Sequence, residues 1–369
     1  MSAPAPRRPR HPASLDVSVI VLTFNSADSL PACIASVRPQ VDALGGEIVL
    51  VDNASTDATV AVARGLGLDP TCTGRNLGFA AGCNRGAREA RGRVLVFVNP
   101  DAVLDDGCLD ALVSEVDDGI GPVGGRAHHG DGSYDPRCAL GRPSAWGAAA
   151  FATGLSSLLR HHSRFDPENG PAHVPRAAPP RRVVAVSGAL MAVPRTLWDR
   201  LDGFDERFFL YGEDVDLCLR ASEHGWRPHL VPAAGYQHVG GGSSVGGGRD
   251  VLLYRGKVEL YRGVLSDRGL GAALLALQLG AFLRGVATRI PGAPSTPRTR
   301  RWWALFRHRA QWRGGYLHHR GPPWQVRTGT VVRDEPVAPG VPSTVTRDDP
   351  DAPAVSATDV SAWGVGGRP

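Results

Sequence analysis

Short apolar runs alternate with helix-length amphipathic stretches through the first hundred residues. Residues 17–22, 47–51 and 93–98 are nearly unbroken runs of β-branched and other apolar side chains. Runs this short, bounded by polar turn residues, predict buried strands. Between them, residues 30–37 and 58–65 carry helical character, the second behind good capping residues in 52–57. Strands separated by helical spacing predict a parallel sheet with crossover helices, an α/β fold. Residues 183–193 predict another strand, broken at Ser187 and Gly188, and residues 214–224 a helix after the loop 203–212. Residues 251–265 and 270–288 predict two amphipathic helices. Residues 127–182 have weak periodicity and many Pro and Gly, so no elements are assigned there.

Composition divides the chain further. Its 369 residues suffice for one large domain with appendages. The expected division is a disordered Pro/Arg-rich N-terminus (1–15), an α/β domain (16–250), a basic helical region (251–321) and an unstructured tail (322–369). The six cysteines show neither C-x-x-C pairs nor zinc-like spacing and read as small buried residues in a reducing compartment. No signal-peptide pattern follows Arg7, Arg8 and Arg10. The longest apolar run, 270–283, falls short of the ~20 residues a membrane span needs, so no transmembrane segment is expected. The net charge of +5 is unevenly spread: residues 268–333 hold twelve arginines and no Asp or Glu. Such a patch speaks about partners rather than fold.

The candidate chemistry lies at strand ends, where open parallel sheets bind ligands. Thr23 and Asn25, then Asp52, then Asn99 with Asp101, follow three of the apolar runs in the same way. Singly, Asp52 could cap a helix and Asn99-Pro-Asp101 could be a turn; together they suggest a polar ligand site. A carboxylate such as Asp101 suits Mg²⁺ or Mn²⁺, ions that fill their remaining positions with water and phosphate oxygens. Glu213, Asp214 and Asp216 crowd the start of a helix, where negative charge is favoured. They also follow the aromatic run Phe208, Phe209 and Tyr211, and an apolar wall raises an acid's pKa toward that of a useful base. His238 closes an apolar stretch before the glycine-rich loop 240–248. That loop fits neither the P-loop nor the dinucleotide fingerprint and is read as a flap or a plain linker. His128-His129 and His161-His162 are read as surface histidines.

At this point the ordered motifs resemble family 2 glycosyltransferases. They are Val17-Ser-Val-Ile-Val-Leu-Thr-Phe-Asn25, Val51-Asp-Asn-Ala-Ser-Thr-Asp57, Asn76-Leu-Gly-Phe-Ala-Ala-Gly-Cys-Asn-Arg-Gly86 and Asn99-Pro-Asp-Ala102. Ser187-Gly-Ala-Leu-Met191, Gly203-Phe-Asp-Glu-Arg-Phe-Phe209, Glu213-Asp214 and His238 complete the set, and the branch resembled is rhamnosyltransferase-like. The resemblance, over about residues 16–250, implies a GT-A fold and an inverting transfer from a dTDP- or UDP-sugar, rhamnose favoured, to a lipid-linked or cell-wall glycan acceptor. By the same resemblance, Thr23, Asn25 and Asp52 would line the nucleoside pocket. Asn76, Gly78, Asn84 and Asn99 would shape the donor site, and Asp101 with His238 would hold the metal. Asp214 would be the base, while Glu213, Ser187 and Gly188 would meet the acceptor. The family's Asp-x-Asp motif reads Asn99-Pro-Asp101 here, which puts in doubt the sugar contacts made through the first acid. Galactofuranosyl or hexosaminyl transfer on the same scaffold, or an inert nucleotide-sugar- or lipid-binding module, are the alternatives. The basic, Trp-rich C-terminal stretch suits anionic headgroups and a peripheral place on the inner face of the plasma membrane, or else a packed appendage with solvated arginines. Nucleic-acid binding has no recognised fold behind it.

Overall fold

The computed structural model describes residues 15–159, 168, 170–171, 173–238, 248–287, 297–316, 325–327 and 330–332. The strands β1 (Val17–Thr23), β2 (Glu47–Asp52), β3 (Thr71–Cys72) and β4 (Val94–Val98) lie parallel to one another. All positions of β1 and β4 are buried, as expected of strands covered on both faces. After β5 (Ala102–Leu104) and β6 (Ile120–His128) come the short β7 (Ala139–Leu140), β8 (Arg181–Arg182) and β9 (Ala185–Val186). β10 (Leu190–Pro194) and β11 (Arg227–His238) complete a nine-stranded sheet ordered β3-β2-β1-β4-β10-β6-β11-β5, with β8 on β11; β7 and β9 pair separately. β10 runs antiparallel between β4 and β6, and β5 and β8 run antiparallel to β11. The other six strands share one direction, so the sheet is mostly parallel.

Helix α1 (Leu30–Ala43) buries Leu30, Cys33, Ile34, Val37 and Val41, a 3.6-residue stripe, and runs through Pro39 beyond its expected end at 37. α2 (Thr59–Gly65) follows β2, and α3 (Phe79–Glu89) returns the chain to β4. α3 lies close against β1 because of its glycines. A Cβ on Gly82 would fall 2.6 Å from Leu22, and one on Gly86 2.6 Å from Ile20. α4 (Cys108–Glu115), α5 (Ala145–Thr153), α6 (Leu155–Leu158), α7 (Arg195–Arg200) and α8 (Glu213–Glu223) follow. α4 and α5 lie in or near segments that hydrophobic spacing leaves unassigned; α5 is Ala-rich and has little apolar contrast between its faces.

α9 (Gly248–Val264), α10 (Asp267–Ala287), α11 (Pro297–Arg307) and α12 (Arg309–Trp312) form a helical layer with its own core, which includes Tyr254, Val258, Leu277, Leu305 and Trp312 and takes in Ala148 of α5. All described residues fall in one compact unit. α9 backs the loop before α8: a Cβ on Gly256 would sit 1.8 Å from the Tyr211 carbonyl oxygen. The Tyr316 hydroxyl donates to the Leu210 carbonyl at 2.7 Å, and the buried Glu259 accepts from the Tyr316 amide at 3.0 Å and pairs with Arg262 at 2.9 Å.

Several expectations change. The run at 270–283 lies in a 21-residue helix, α10, which by length and composition alone could cross a membrane. The apolar run is extended at both ends by helical residues that do not break it. Gln325–Arg327 and Thr330–Val332 pair as a hairpin within the tail expected to be unstructured. The N-terminus at 1–14, His161-His162 and most of the glycine-rich loop (239–247) lie outside the described residues. All six cysteines are free thiols, five of them buried.

Because the obstacle at Gly256 is main chain rather than a flexible side chain, Gly256→Ala should cost about 1–3 kcal/mol, as overpacking does. Thermal denaturation checks this; an unchanged Tm would mean the acid loop yields freely.

Candidate active site

The C-terminal ends of β1, β2, β4 and β11 and the N-terminal ends of β10 and β5 meet at one edge of the sheet. Val98 pairs with Leu190, Thr23 with Asp52, and His238 with Ala102. The antiparallel entry of β10 brings the Ser187-Gly188 turn to the edge where the parallel strands end.

Asp52 is buried at the end of β2. Its carboxylate accepts from the Ser55 hydroxyl at 2.6 Å, the Ser55 amide at 3.0 Å and the Thr23 hydroxyl at 3.1 Å. Asn25 takes a positive φ of 50°, which Asn tolerates better than most side chains, and its Oδ1 accepts from the Thr56 amide at 2.8 Å. The loop 52–57 is thus fastened at both ends, with Thr23, Asn25 and Asp52 together.

Asn53 was not singled out from sequence, yet it organises the next loop. Its Nδ2 donates to Asn76 Oδ1 at 2.9 Å and to the Gly78 carbonyl at 3.1 Å, while its Oδ1 accepts from the Leu77 amide at 2.8 Å. The only sequence hint is an Asn placed next to the strand-end Asp. Gly78 needs its glycine twice over. Its φ is 84°, and a Cβ would fall 2.3 Å from the Phe209 carbonyl oxygen. That same carbonyl accepts from the Phe79 amide at 2.7 Å, tying the 76–79 loop to the acid loop.

Asn84 does other work. Its amide donates to the Phe204 carbonyl at 2.9 Å and accepts from the Phe204 amide at 3.0 Å, and it also meets Glu206 at 3.0 Å. Both ends of the Asn84 side chain are thus taken up by the 203–206 loop, which it holds in place.

The three acids at the start of α8 separate. Asp216 pairs with Arg220 at 2.7 Å, and Arg220 also donates to the Leu201 and Gly203 carbonyls, so this acid serves the fold. Asp214 turns the other way and accepts from the Gly188 amide at 3.0 Å and the Val215 amide at 2.8 Å. Burial raises the Asp214 pKa, and these two N–H bonds work against the rise. Glu213 is fully enclosed. Burial, then the charge of Asp214, push its carboxyl well above the usual carboxylate range, and its Oε2 has no hydrogen-bond partner among the described residues. Of this adjacent pair, the two N–H donors make Asp214 the anion and leave Glu213 the acid that keeps its proton longer. Tyr211 and Gly212 reach α8 through positive φ values of 72° and 105°, a conformation costly for a tyrosine.

The fourth group lies beside the third. Asn99 donates its amide to the Ala189 carbonyl at 2.9 Å, one residue from the Gly188 that holds Asp214. Its side chain meets His238 Nε2 at 3.4 Å, and Asp101 Oδ1 meets the same nitrogen at 3.2 Å. One carboxylate and one imidazole converging this closely fit a divalent cation of the Mn²⁺ or Mg²⁺ kind. No group of three or more potential ligands occurs among the described residues, so such an ion would draw its other ligands from phosphate oxygens and water. The surface reading of His128 fails: its Nε2 pairs with Asp105 at 3.0 Å, and Asp105 also holds Arg176 at 2.7 Å. β6 pairs His128 with Gln237 of β11, whose other neighbour is β5, so the histidine comes within reach of Asp105 just past β5; that strand order is not visible in a weakly periodic segment.

Known proteins similar in sequence point to a family. Residues 18–158 match the family described as Glycosyl transferase family 2, and residues 157–335 match Glycosyl transferase family group 2. The N-acetylglucosaminyl-diphospho-decaprenol L-rhamnosyltransferase of Mycobacterium tuberculosis is 30% identical over 236 residues, covering 60% of this chain and 75% of that one. Rhamnosyltransferase WbbL of Escherichia coli is 49% identical over a 47-residue stretch, 13% of this chain and 18% of that one. Among solved structures, the mannosyltransferase PcManGT from Pyrobaculum calidifontis, bound to GDP-Man and Mn²⁺, aligns with a TM-score of 0.47 at 20% identity, covering 84% of this chain and 88% of that one. The chain is a glycosyltransferase of family 2, rhamnosyltransferase-like.

Proposed function

We propose that the enzyme transfers rhamnose, with inversion, from dTDP-rhamnose to a hydroxyl of a lipid-linked glycan on the cytoplasmic side of the membrane. The observation that carries this reading is the meeting of Asp52, the Asp101–His238 pair and Asp214 along one sheet edge, linked by short main-chain contacts. The rhamnosyl and lipid-linked parts draw on the M. tuberculosis relative, whose name carries both.

Asp52 would accept from the N–H of a pyrimidine ring, its carboxylate already oriented by Ser55 and Thr23. Asn76 and Gly78 would present main chain close to the donor. Asp101 and His238 would hold a divalent cation, Mg²⁺ or Mn²⁺, whose charge offsets that of the departing diphosphate. Asp214 would take the proton of the acceptor hydroxyl as its oxygen bonds to the anomeric carbon. The carbon–oxygen bond to the diphosphate breaks in the same displacement, and its electron pair leaves with the nucleotide. Glu213 and the Ser187-Gly188 turn flank Asp214 and would orient the acceptor.

Asp214→Asn should lower transfer by about 100-fold or more, the scale of a lost general base, with donor affinity little changed. Full turnover in this variant would move the base elsewhere. Asp101→Ala should weaken dTDP-sugar binding when Mn²⁺ or Mg²⁺ is present and make little difference in chelator; calorimetry in both conditions distinguishes a metal role from a direct one. A panel of dTDP-rhamnose, UDP-galactofuranose and UDP-GlcNAc, scored by thermal shift with metal, tests the sugar, and a preference for either UDP-sugar would overturn rhamnose. Glu213 adds a pH signature. Its folded-state pKa is raised, so the stability it contributes is complete below its unfolded pKa of about 4.3 and is lost as pH rises through the folded value. Glu213→Gln should therefore melt higher than the parent at neutral pH, with the gap closing in acid; a gap independent of pH would mean the burial is not felt.

A further inference from the structure

The two sides of α10 differ sharply in what they touch. Ala273, Leu277, Gly280, Ala281 and Gly285 face inward and are buried. Small residues let neighbours approach: a Cβ on Gly280 would lie 2.7 Å from Ala152 of α5, and one on Gly285 3.1 Å from Trp303 of α11. Arg284 adds a bond to the Ala152 carbonyl at 3.2 Å. The opposite side carries Leu275, Leu279, Phe282, Leu283 and Val286, exposed by 66%, 48%, 36%, 50% and 41%. At about 100° per residue these five fall within an arc of roughly 100°, a continuous apolar stripe facing away from the protein. Stripes of large side chains left to water usually mark a docking surface.

Charge indicates what docks there. Phe282 packs on Phe306 with ring centroids 5.0 Å apart, and the Arg309 guanidinium lies 4.5 Å over the Phe306 ring. The apolar stripe therefore runs directly into the basic end of the helical layer, where Arg301, Arg307, Arg309 and Arg313 are exposed. No acidic residue occurs from Arg268 to Arg333 to offset them. An apolar stripe bordered by arginines complements anionic lipid, with acyl chains against the leucines and phosphates against the guanidiniums. A second copy of this chain would bring a matching cationic border against the first, which like-charge repulsion opposes.

Packing also sets the helix's direction. Although long and apolar enough to cross a bilayer, α10 is fastened on its inner side to α5 and α11, from Ala273 to Gly285. To span, it would have to leave both.

We infer that α10 lies flat in the interface of an anionic membrane, inserting Leu275, Leu279, Phe282, Leu283 and Val286, with the neighbouring arginines on lipid phosphates. This deepens the proposed function, since a lipid-linked acceptor is held at such a surface, but the binding itself does not depend on the sugar or the acceptor. The test is flotation of the full chain with phosphatidylglycerol-containing vesicles and with pure phosphatidylcholine. The parent should float with the anionic vesicles and be released by salt. Leu275→Gln/Leu279→Gln/Leu283→Gln should weaken that binding about tenfold or more while leaving circular dichroism and Tm unchanged, because the replaced side chains already face water. Arg307→Gln/Arg309→Gln should lose chiefly the anionic preference. A folded parent that ignores anionic vesicles, or a triple variant that binds as well as the parent, would overturn the inference. So would a dimer seen by light scattering that dissociates in the triple variant without any vesicle binding, since the stripe would then be covered by a second copy. Donor hydrolysis measured in detergent-free buffer reports on the glycosyltransferase site separately, so either reading can fail alone.

Discussion

The Asp214 carboxylate depends on two main-chain N–H groups that come from opposite sides of the site. One belongs to the first turn of its own helix, the other to Gly188 at the entrance of an antiparallel strand. Holding an anion in a buried place requires donors that do not move, and much of the chain is arranged to keep these two in register. β10 is wedged between β4 and β6, which fixes Gly188. The loop leading to Asp214 is tied from one side by the Phe79 amide and from the other by Tyr316, with α9 pressed against Tyr211. Residues separated by more than two hundred positions in sequence thus determine where one carboxylate sits.

The same network connects the two halves of the ligand edge. Asn53 fastens the 76–79 loop beside Asp52, and that loop bonds to Phe209, five residues before Asp214. Asn99 bonds to Ala189 and to His238, joining the Asp101 pair to the segment whose Gly188 holds Asp214. The Asp52 end and the Asp214 end of the edge are therefore joined by a run of hydrogen bonds, some from the Asn53 and Asn99 side chains and some from main chain to main chain.

Much of this was legible in the sequence where local pattern and burial agree. The runs that became β1, β2 and β4 are largely apolar because most of their positions are covered, and polar residues follow just past them at one edge of the sheet. The acidic cluster after Phe208 and Phe209 was also visible, but not its division. Whether Asp216 faces the site or Arg220 depends on one helical turn and on a partner four residues on. The bonds of Asn84 to Phe204, 120 positions away, are likewise not legible in the glycine motif where it sits. The stretch 127–182 gave little because α5 is alanine-rich and meets the C-terminal helices through small contacts. The apolar run within α10, taken alone, is too short for a span. The helix continues past both ends of that run, and only its packing separates lying from crossing.

The grip of Tyr316 and Glu259 on the acid loop bears on how the chain can be divided. Composition suggests trimming after the glycine-rich stretch near residue 248, where the basic helices begin. Such a cut would strip away Gly256, Glu259 and Tyr316 together, leaving Leu210 and Tyr211 without their backing and a buried face of the loop open to water. The smallest piece that keeps its reacting groups aligned runs on through Tyr316. The helical layer is the rear wall of the loop that carries Glu213 and Asp214, built from residues well downstream of it in the chain.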